Sequence, residues 1–174
     1  MKKWIKRIGI LVVGIAVFFI ITCFVFDAFV QFRMSDKEWL NLFSSHHING
    51  QVRYLISEGR NIRYISAGND TLPTIVFIHG APSSSSIYKI FFTDSSFLHT
   101  FHILAIDRHG YGYSGFGKPV ISLQQQAFFI KEMLQNMGKT KHPIIVVAGS
   151  YGTTVACRFA MDYPQLADGL VLTG

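Results

Sequence analysis

The sequence predicts an α/β domain, a mostly parallel sheet with helices on both faces, behind an N-terminal transmembrane helix. Three observations predict it. After a first pair of β-rich runs, short apolar runs alternate with helix-forming stretches, the pattern of parallel strands joined by covering helices. One of those runs, Val146-Val147-Ala148, ends in Gly149-Ser150-Tyr151-Gly152 and leads directly into helix-forming sequence. Ile8 to Phe26 is almost unbroken apolar sequence, and a membrane-spanning helix takes about 20 such residues.

The 174 residues, 49% hydrophobic and 14% aromatic, suffice for one domain with a real core and exclude a disordered chain. Of the net charge of +6, Lys2, Lys3, Lys6 and Arg7 supply four. The remainder is close to neutral and carries no basic stripe, which argues against nucleic acid as a partner. These four cations precede the apolar run, and Asp27, Arg33, Asp36 and Lys37 follow it. Residues 1–30 therefore read as a basic tip and an uncleaved signal anchor, with the bilayer as partner through residues 8–26. A cleaved signal peptide would have a shorter apolar core and an A-x-A-like site, which is absent. Lipidation at Cys23 is disfavoured by Thr22 before it. By the positive-inside rule the N-terminus is cytoplasmic and the domain lies across the membrane. The two cysteines, Cys23 and Cys157, have neither CxxC nor metal-ligand spacing.

Residues 31–49 are mixed and polar and read as a juxtamembrane helix and linker. Its His46-His47 pair has no second pair of ligands nearby, so no metal is expected. The domain proper is expected over residues 50–174. Gln51 to Ile56 and Asn61 to Ala67 form a hairpin across Ser57-Glu58-Gly59-Arg60. Thr74 to Ile78 is a strand buried on both faces. It ends in His79-Gly80-Ala81-Pro82, where a glycine lets the backbone turn so that the Ala81 amide points into a cleft. A serine run and a short helical patch, Ile87 to Phe92, follow. His79 is expected to hold this loop by hydrogen bonds rather than act as a base, because a base must approach the serine from the other side.

His102 to Ile106 is a further buried strand, running into Asp107-Arg108-His109-Gly110-Tyr111-Gly112-Tyr113-Ser114-Gly115. The C-terminal ends of parallel strands are where such sheets place ligands. Asp107 and Arg108 are expected to fix this loop by pairing with each other or with backbone groups. No phosphate loop follows, so no nucleotide cofactor is expected. Ser122 to Met137 is a helix, with Gln125 at capping-box spacing from Ser122. Ile144 to Ala148 is the strand before the serine, Tyr151 to Tyr163 the helix after it, and Gly169 to Thr173 the last strand. Small residues must flank a serine held in a strained strand-to-helix turn, and Gly149 and Gly152 supply them. Ala148 stands where the usual Gly-x-Ser-x-Gly pattern has its first glycine. A serine helix cap is the alternative reading of the same residues.

Jointly, His79-Gly80-Ala81-Pro82, the Asp107-to-Ser114 loop and Gly149-Ser150-Tyr151-Gly152 resemble the first half of an α/β-hydrolase of the AB hydrolase 1 family. The resemblance implies Ser150 as nucleophile and the Ala81 and Tyr151 amides as oxyanion hole, with His79, Gly80, Asp107, Arg108, Gly149 and Gly152 in support. It implies no cofactor or metal. A serine at the elbow argues against the epoxide hydrolase and haloalkane dehalogenase branches, which carry aspartate there, and leaves esterases, lipases, C–C bond hydrolases, peptidases and cofactor-free peroxidases. In this fold the acid and then the histidine follow the serine. The 24 residues after Ser150 hold Asp162 and Asp168 and no histidine. The expectation is thus a membrane-anchored serine hydrolase represented by its N-terminal portion, inactive alone, with the rest supplied by another chain or reading frame. The alternative is a non-catalytic membrane protein that binds a small molecule. Tyr88, Tyr111, Tyr113 and Tyr151 are candidates to line the cleft or to pack.

Overall fold

A computed structural model describes residues 2–29, 32–138 and 143–174. The side chains of Lys2 and Lys3, and the junction between anchor and linker at residues 30 and 31, lie outside the described residues. The chain divides into two units, Met1–Gln31 and Phe32–Gly174.

The first unit is one helix, α1 (Lys2–Phe29). Within it Trp4–Phe26 is long and apolar enough to cross a membrane, and none of it is buried by protein. At 1.5 Å per residue, 23 residues reach about 35 Å, more than the roughly 30 Å of a hydrocarbon core. A helix apolar on every side has no polar face to offer water.

The second unit runs α2 (Asp36–Ser45), β1 (Gly50–Ser57), β2 (Arg60–Ala67), β3 (Thr74–Ile78), a 3-10 turn Ser85–Tyr88, α3 (Lys89–Thr93), α4 (Ser95–Thr100), β4 (His102–Ile106), α5 (Leu123–Asn136), β5 (Ile144–Gly149), α6 (Tyr151–Asp162), a 3-10 turn Pro164–Leu166 and β6 (Gly169–Thr173). The six strands lie in the order β1-β2-β4-β3-β5-β6. β1 and β2 form the antiparallel hairpin, β2 pairs antiparallel with β4, and the other neighbours are parallel. β3 and β4 are buried along their whole length, as strands covered on both faces must be. Two apolar layers result. Ile78, Leu104, Phe129, Ile130, Val155 and Phe159 belong to the layer under α5 and α6, and Trp39, Phe43, Phe77, Phe92 and Ile103 to the layer under α2 and α3.

Two expectations need correction. The expected linker is folded structure from Phe32 on, and the helix expected within it is α2. Trp39 is fully buried there, 5.6 Å from Phe43 and 5.1 Å from Phe92 between ring centroids. A complete capping box starts α2, with Ser35 and Glu38 bonding each other's backbone N–H. At α5 only half of such a box exists. Ser122 caps the Gln125 amide, but the Gln125 side chain donates instead to Glu58 at 2.6 Å. Both cysteines are free thiols.

Candidate active site

β5 delivers the chain to Ser150, whose backbone sits at φ 51°, ψ −129°. Positive φ in a residue with a Cβ is costly and persists only where the surroundings impose it. The surroundings here are tight. A Cβ on Gly152 would lie 2.4 Å from the Ile78 carbonyl oxygen, so the first turn of α6 packs directly on the end of β3. A Cβ on Gly80 would lie 2.8 Å from the Ser150 Cβ and 3.1 Å from the Gly149 oxygen. A Cβ on Gly149 would come within 3.2 Å of Thr173 Oγ1. The Ser150 N–H is spent on the Thr173 carbonyl at 2.9 Å. Its side chain makes no capping bond to α6, which removes the helix-cap reading and leaves the hydroxyl uncommitted among the described residues.

Two peptide amides adjoin this serine, one through the fold and one through the sequence. Gly80 touches Ser150, so Ala81 follows at the contact, and Tyr151 follows Ser150 itself. Among the described residues neither the Ala81 nor the Tyr151 N–H donates to a carbonyl or side chain. Tyr151 also opens α6, where the helix end carries partial positive charge.

The loop bearing Gly80 is held from behind by His79 and Arg108. His79 is completely buried. Its Nε2 accepts from the Arg108 N–H at 3.0 Å, which puts the ring proton on Nδ1, facing the Gly80 carbonyl at 2.6 Å. Burial first, then the Arg108 guanidinium, lower its pKa to about 4. With both nitrogens engaged, the neutral ring bonds the loop on both sides. Arg108 donates to the His79 oxygen at 2.8 Å, the Gly80 oxygen at 3.0 Å and Gln126 Oε1 at 2.8 Å. Its guanidinium lies over the Tyr111 and Tyr151 rings, 4.5 and 4.8 Å from their centroids.

Asp107 does not pair with Arg108. Its carboxylate accepts from Ser85 N–H at 2.8 Å and Tyr113 N–H at 2.9 Å, and from Arg63 Nη1 at 3.2 Å. A Cβ on Gly112 would overlap it, at 2.2 Å. Asp107 thus ties the loop after β4 to the turn after β3, while Arg108 ties it to Gly80, and both act through the backbone. Arg63, buried on β2 and also 3.0 Å from Asp36, escaped the sequence reading. A lone arginine in an apolar strand, Ile62-Arg63-Tyr64-Ile65, is the signal that would have found it, since buried charges are paired.

Tyr88 stacks on Phe77 at 4.4 Å and donates to the Ile78 carbonyl at 3.0 Å, so it packs beneath the elbow. Burial pushes its hydroxyl up to about 12. His109 is turned away, with Nδ1 facing the Lys118 carbonyl at 2.8 Å. Among the described residues no histidine makes a hydrogen bond to Ser150, and no group of three or more His, Cys, Asp or Glu side chains could hold a metal.

A mostly parallel sheet whose fifth strand breaks into a strained serine and then a helix, with a glycine loop laid against that serine, defines the α/β-hydrolase class of fold. The sequence profile of the alpha/beta hydrolase fold matches residues 73–174, and the chain belongs to that family. It is 32% identical over 121 residues to epoxide hydrolase 1 of Caenorhabditis elegans, an alignment covering 68% of this chain and 29% of the nematode protein. Among solved structures, a haloalkane dehalogenase loop variant from Bradyrhizobium elkanii superposes with a TM-score of 0.60 at 30% identity, covering 71% of this chain and 40% of that one. The chain thus spans well under half the length of either relative. A bacterial membrane phospholipase A superposes with a TM-score of 0.66 over 100% of this chain and 53% of its own. At 17% identity this last likeness is one of fold.

Proposed function

We propose that this chain carries the nucleophile and oxyanion hole of a membrane-anchored serine hydrolase that cleaves an ester or related acyl bond. The observation behind the proposal is the strained Ser150, its hydroxyl uncommitted, beside two undonated amides. In such a site the Ser150 oxygen bonds to the acyl carbon and its proton passes to a base. The carbonyl oxygen becomes an oxyanion facing the Ala81 and Tyr151 amides, and the leaving group departs with a proton. Losing one such donor typically costs about 3–4 kcal/mol of transition-state stabilisation. The relatives named epoxide hydrolase and haloalkane dehalogenase lend their fold to this reading but not their reaction, because a serine ester and an aspartyl ester are formed by different nucleophiles.

A serine hydroxyl is a poor nucleophile until a base takes its proton, and none of the described histidines bonds to Ser150. The acid and base are proposed to come from polypeptide outside residues 1–174. It would dock along the groove of about 500 Å³ that Thr153, Cys157, Met161, Leu172 and Thr173 line beside the elbow. Fluorophosphonate labelling tests this. Residues 1–174 alone should label slowly. Co-expression with the C-terminal half of a serine-dependent relative should accelerate labelling and ester turnover, and Ser150→Ala should abolish both. Rapid labelling of residues 1–174 alone, lost in Ser150→Ala, would place a base within them. Absence of labelling even in the complemented pair would favour the non-catalytic reading.

A further inference from the structure

Phe32 and Arg33 open the second unit, and both are pinned. The Phe32 carbonyl accepts from Ser84 Oγ at 2.6 Å and from Ser86 Oγ at 3.3 Å. Arg33 lies over the Phe116 ring, 4.2 Å from its centroid, and donates to the Gly112 carbonyl at 3.3 Å. This dipeptide therefore joins the 84–86 turn to the 112–116 loop and gathers Phe32, Ile87 and Phe116 onto one surface. They are 48%, 62% and 63% exposed, and Ile90, one turn beyond Ile87, is 68% exposed. Phe92, on the other side of the same short helix, is fully buried, so the outward residues are not spill-over from the core. Apolar area left in water forfeits about 25 cal/mol per Å².

The segments that form this surface carry charges of one sign, and the flanking Asp36 and Asp94 are engaged with Arg63 and with the Phe97 amide. Residues 32–35, 84–92 and 111–118 contain Arg33, Lys89 and Lys118 and no aspartate or glutamate. Bulky apolar side chains ringed by cations match the interface of an anionic bilayer, with acyl chains for the former and headgroups for the latter. Chain continuity points the same way. In the sequence Phe32 comes only six residues after Phe26, the end of the apolar stretch.

We propose that the face formed by Phe32, Ile87, Ile90 and Phe116 docks on the membrane that α1 crosses, its side chains entering the headgroup–acyl boundary and Arg33, Lys89 and Lys118 meeting lipid phosphates. The proposal rests on the reading of α1 as a span. Binding of this kind places side chains about 5–10 Å into the boundary.

The test uses the full chain, with Trp4→Phe removing the anchor tryptophan, in vesicles of phosphatidylcholine and phosphatidylglycerol whose acyl chains are brominated near the headgroup. Single reporters are Ile90→Trp, Phe116→Trp and, for comparison, Gln135→Trp near the C-terminal end of α5. All three sites are exposed, and two independent reporters on the face guard against one misfolding. The buried Trp39 adds the same background to each, measured in the Trp4→Phe chain and subtracted. The indoles introduced at positions 90 and 116 should shift to the blue and lose most of their emission to bromine, while the one at 135 keeps its emission. Vesicle flotation reads the anchor separately: loss of flotation overturns the span and this proposal with it. Flotation with all three reporters quenched alike overturns the docking face alone. A blue shift at 90 and 116 without quenching means that protein covers the face, and also overturns it.

Discussion

His79 shows how one buried side chain can hold two strand ends together through its ring. Its ring accepts from one strand end and faces the carbonyl of the other, an arrangement available only to the neutral form. Protonation at Nε2 would point a proton at the Arg108 N–H beside a guanidinium. The linkage follows directly. An unfolded histidine titrates near 6.5, the folded ring at about 4. Between these values the unfolded chain binds a proton that the folded chain refuses. The stabilisation is therefore complete above the unfolded value, falls as pH drops, and is fully lost below the folded one. A shift of this size corresponds to on the order of 3 kcal/mol. Denaturant titrations between about pH 7 and about pH 4 should show this loss in the parent chain. His79→Asn should be less stable at neutral pH and show a shallower decline. His109, also lowered by burial, supplies a slope of the same sign that persists in the variant. A decline as steep in His79→Asn as in the parent would show that the ring is not the titrating group.

At the scale of elements, α2 offers the sharpest test. Trp39 is enclosed by Phe43 and Phe92, so Trp39→Ala should lower unfolding stability by about 3–5 kcal/mol, the usual cost of emptying a buried aromatic site. A denaturant midpoint within experimental scatter of the parent would return α2 to the status of a surface linker. The reason α2 went unread as core is physical. Its apolar residues are few and lie among Asp36, Lys37 and Glu38, and only the Ser35-x-x-Glu38 spacing announces a helix start. The α4 helix, Ser95–Thr100, is too short to display a period at all. By contrast β3, β4 and β6 were legible to the residue, because continuous apolar runs between turn residues admit few alternatives. The same contrast holds at the site. The demands at Gly80 and Ser150 are local backbone demands, and glycines record them in sequence. The partners of Asp107 are not local: Arg63 lies 44 residues away, and no spacing rule records a charge pair between residues so far apart in sequence.

For the molecule as a whole, the decisive quantity is the balance of charge on the two flanks of Trp4–Phe26, the stretch long and apolar enough to cross a membrane. Four cations, Lys2, Lys3, Lys6 and Arg7, precede Trp4–Phe26 or lie at its start, within the distance over which basic residues set orientation. On the other flank Arg33 and Lys37 are accompanied by Asp27, Asp36 and Glu38, and acidic residues contribute little to the rule, so the comparison is four cations against two. Charged side chains at the bilayer centre cost several kcal/mol, and Trp4–Phe26 carries its only two, Lys6 and Arg7, at its N-terminal end, where long side chains reach the headgroups. An integral, N-in arrangement is therefore proposed. The chain should remain in the pellet after alkaline carbonate extraction. A phosphatase that is active only outside the cytoplasm should work when fused after Phe32, and a fluorescent protein that matures only in the cytoplasm should stay dark there. Replacing Lys2, Lys3, Lys6 and Arg7 by neutral residues should weaken this preference and raise the fluorescent fraction, because Arg33 and Lys37 would then hold the larger share of positive charge. Fluorescence from the parent fusion would place the hydrolase-fold unit in the cytoplasm and reverse the orientation. Release of a soluble product by carbonate would remove the span altogether.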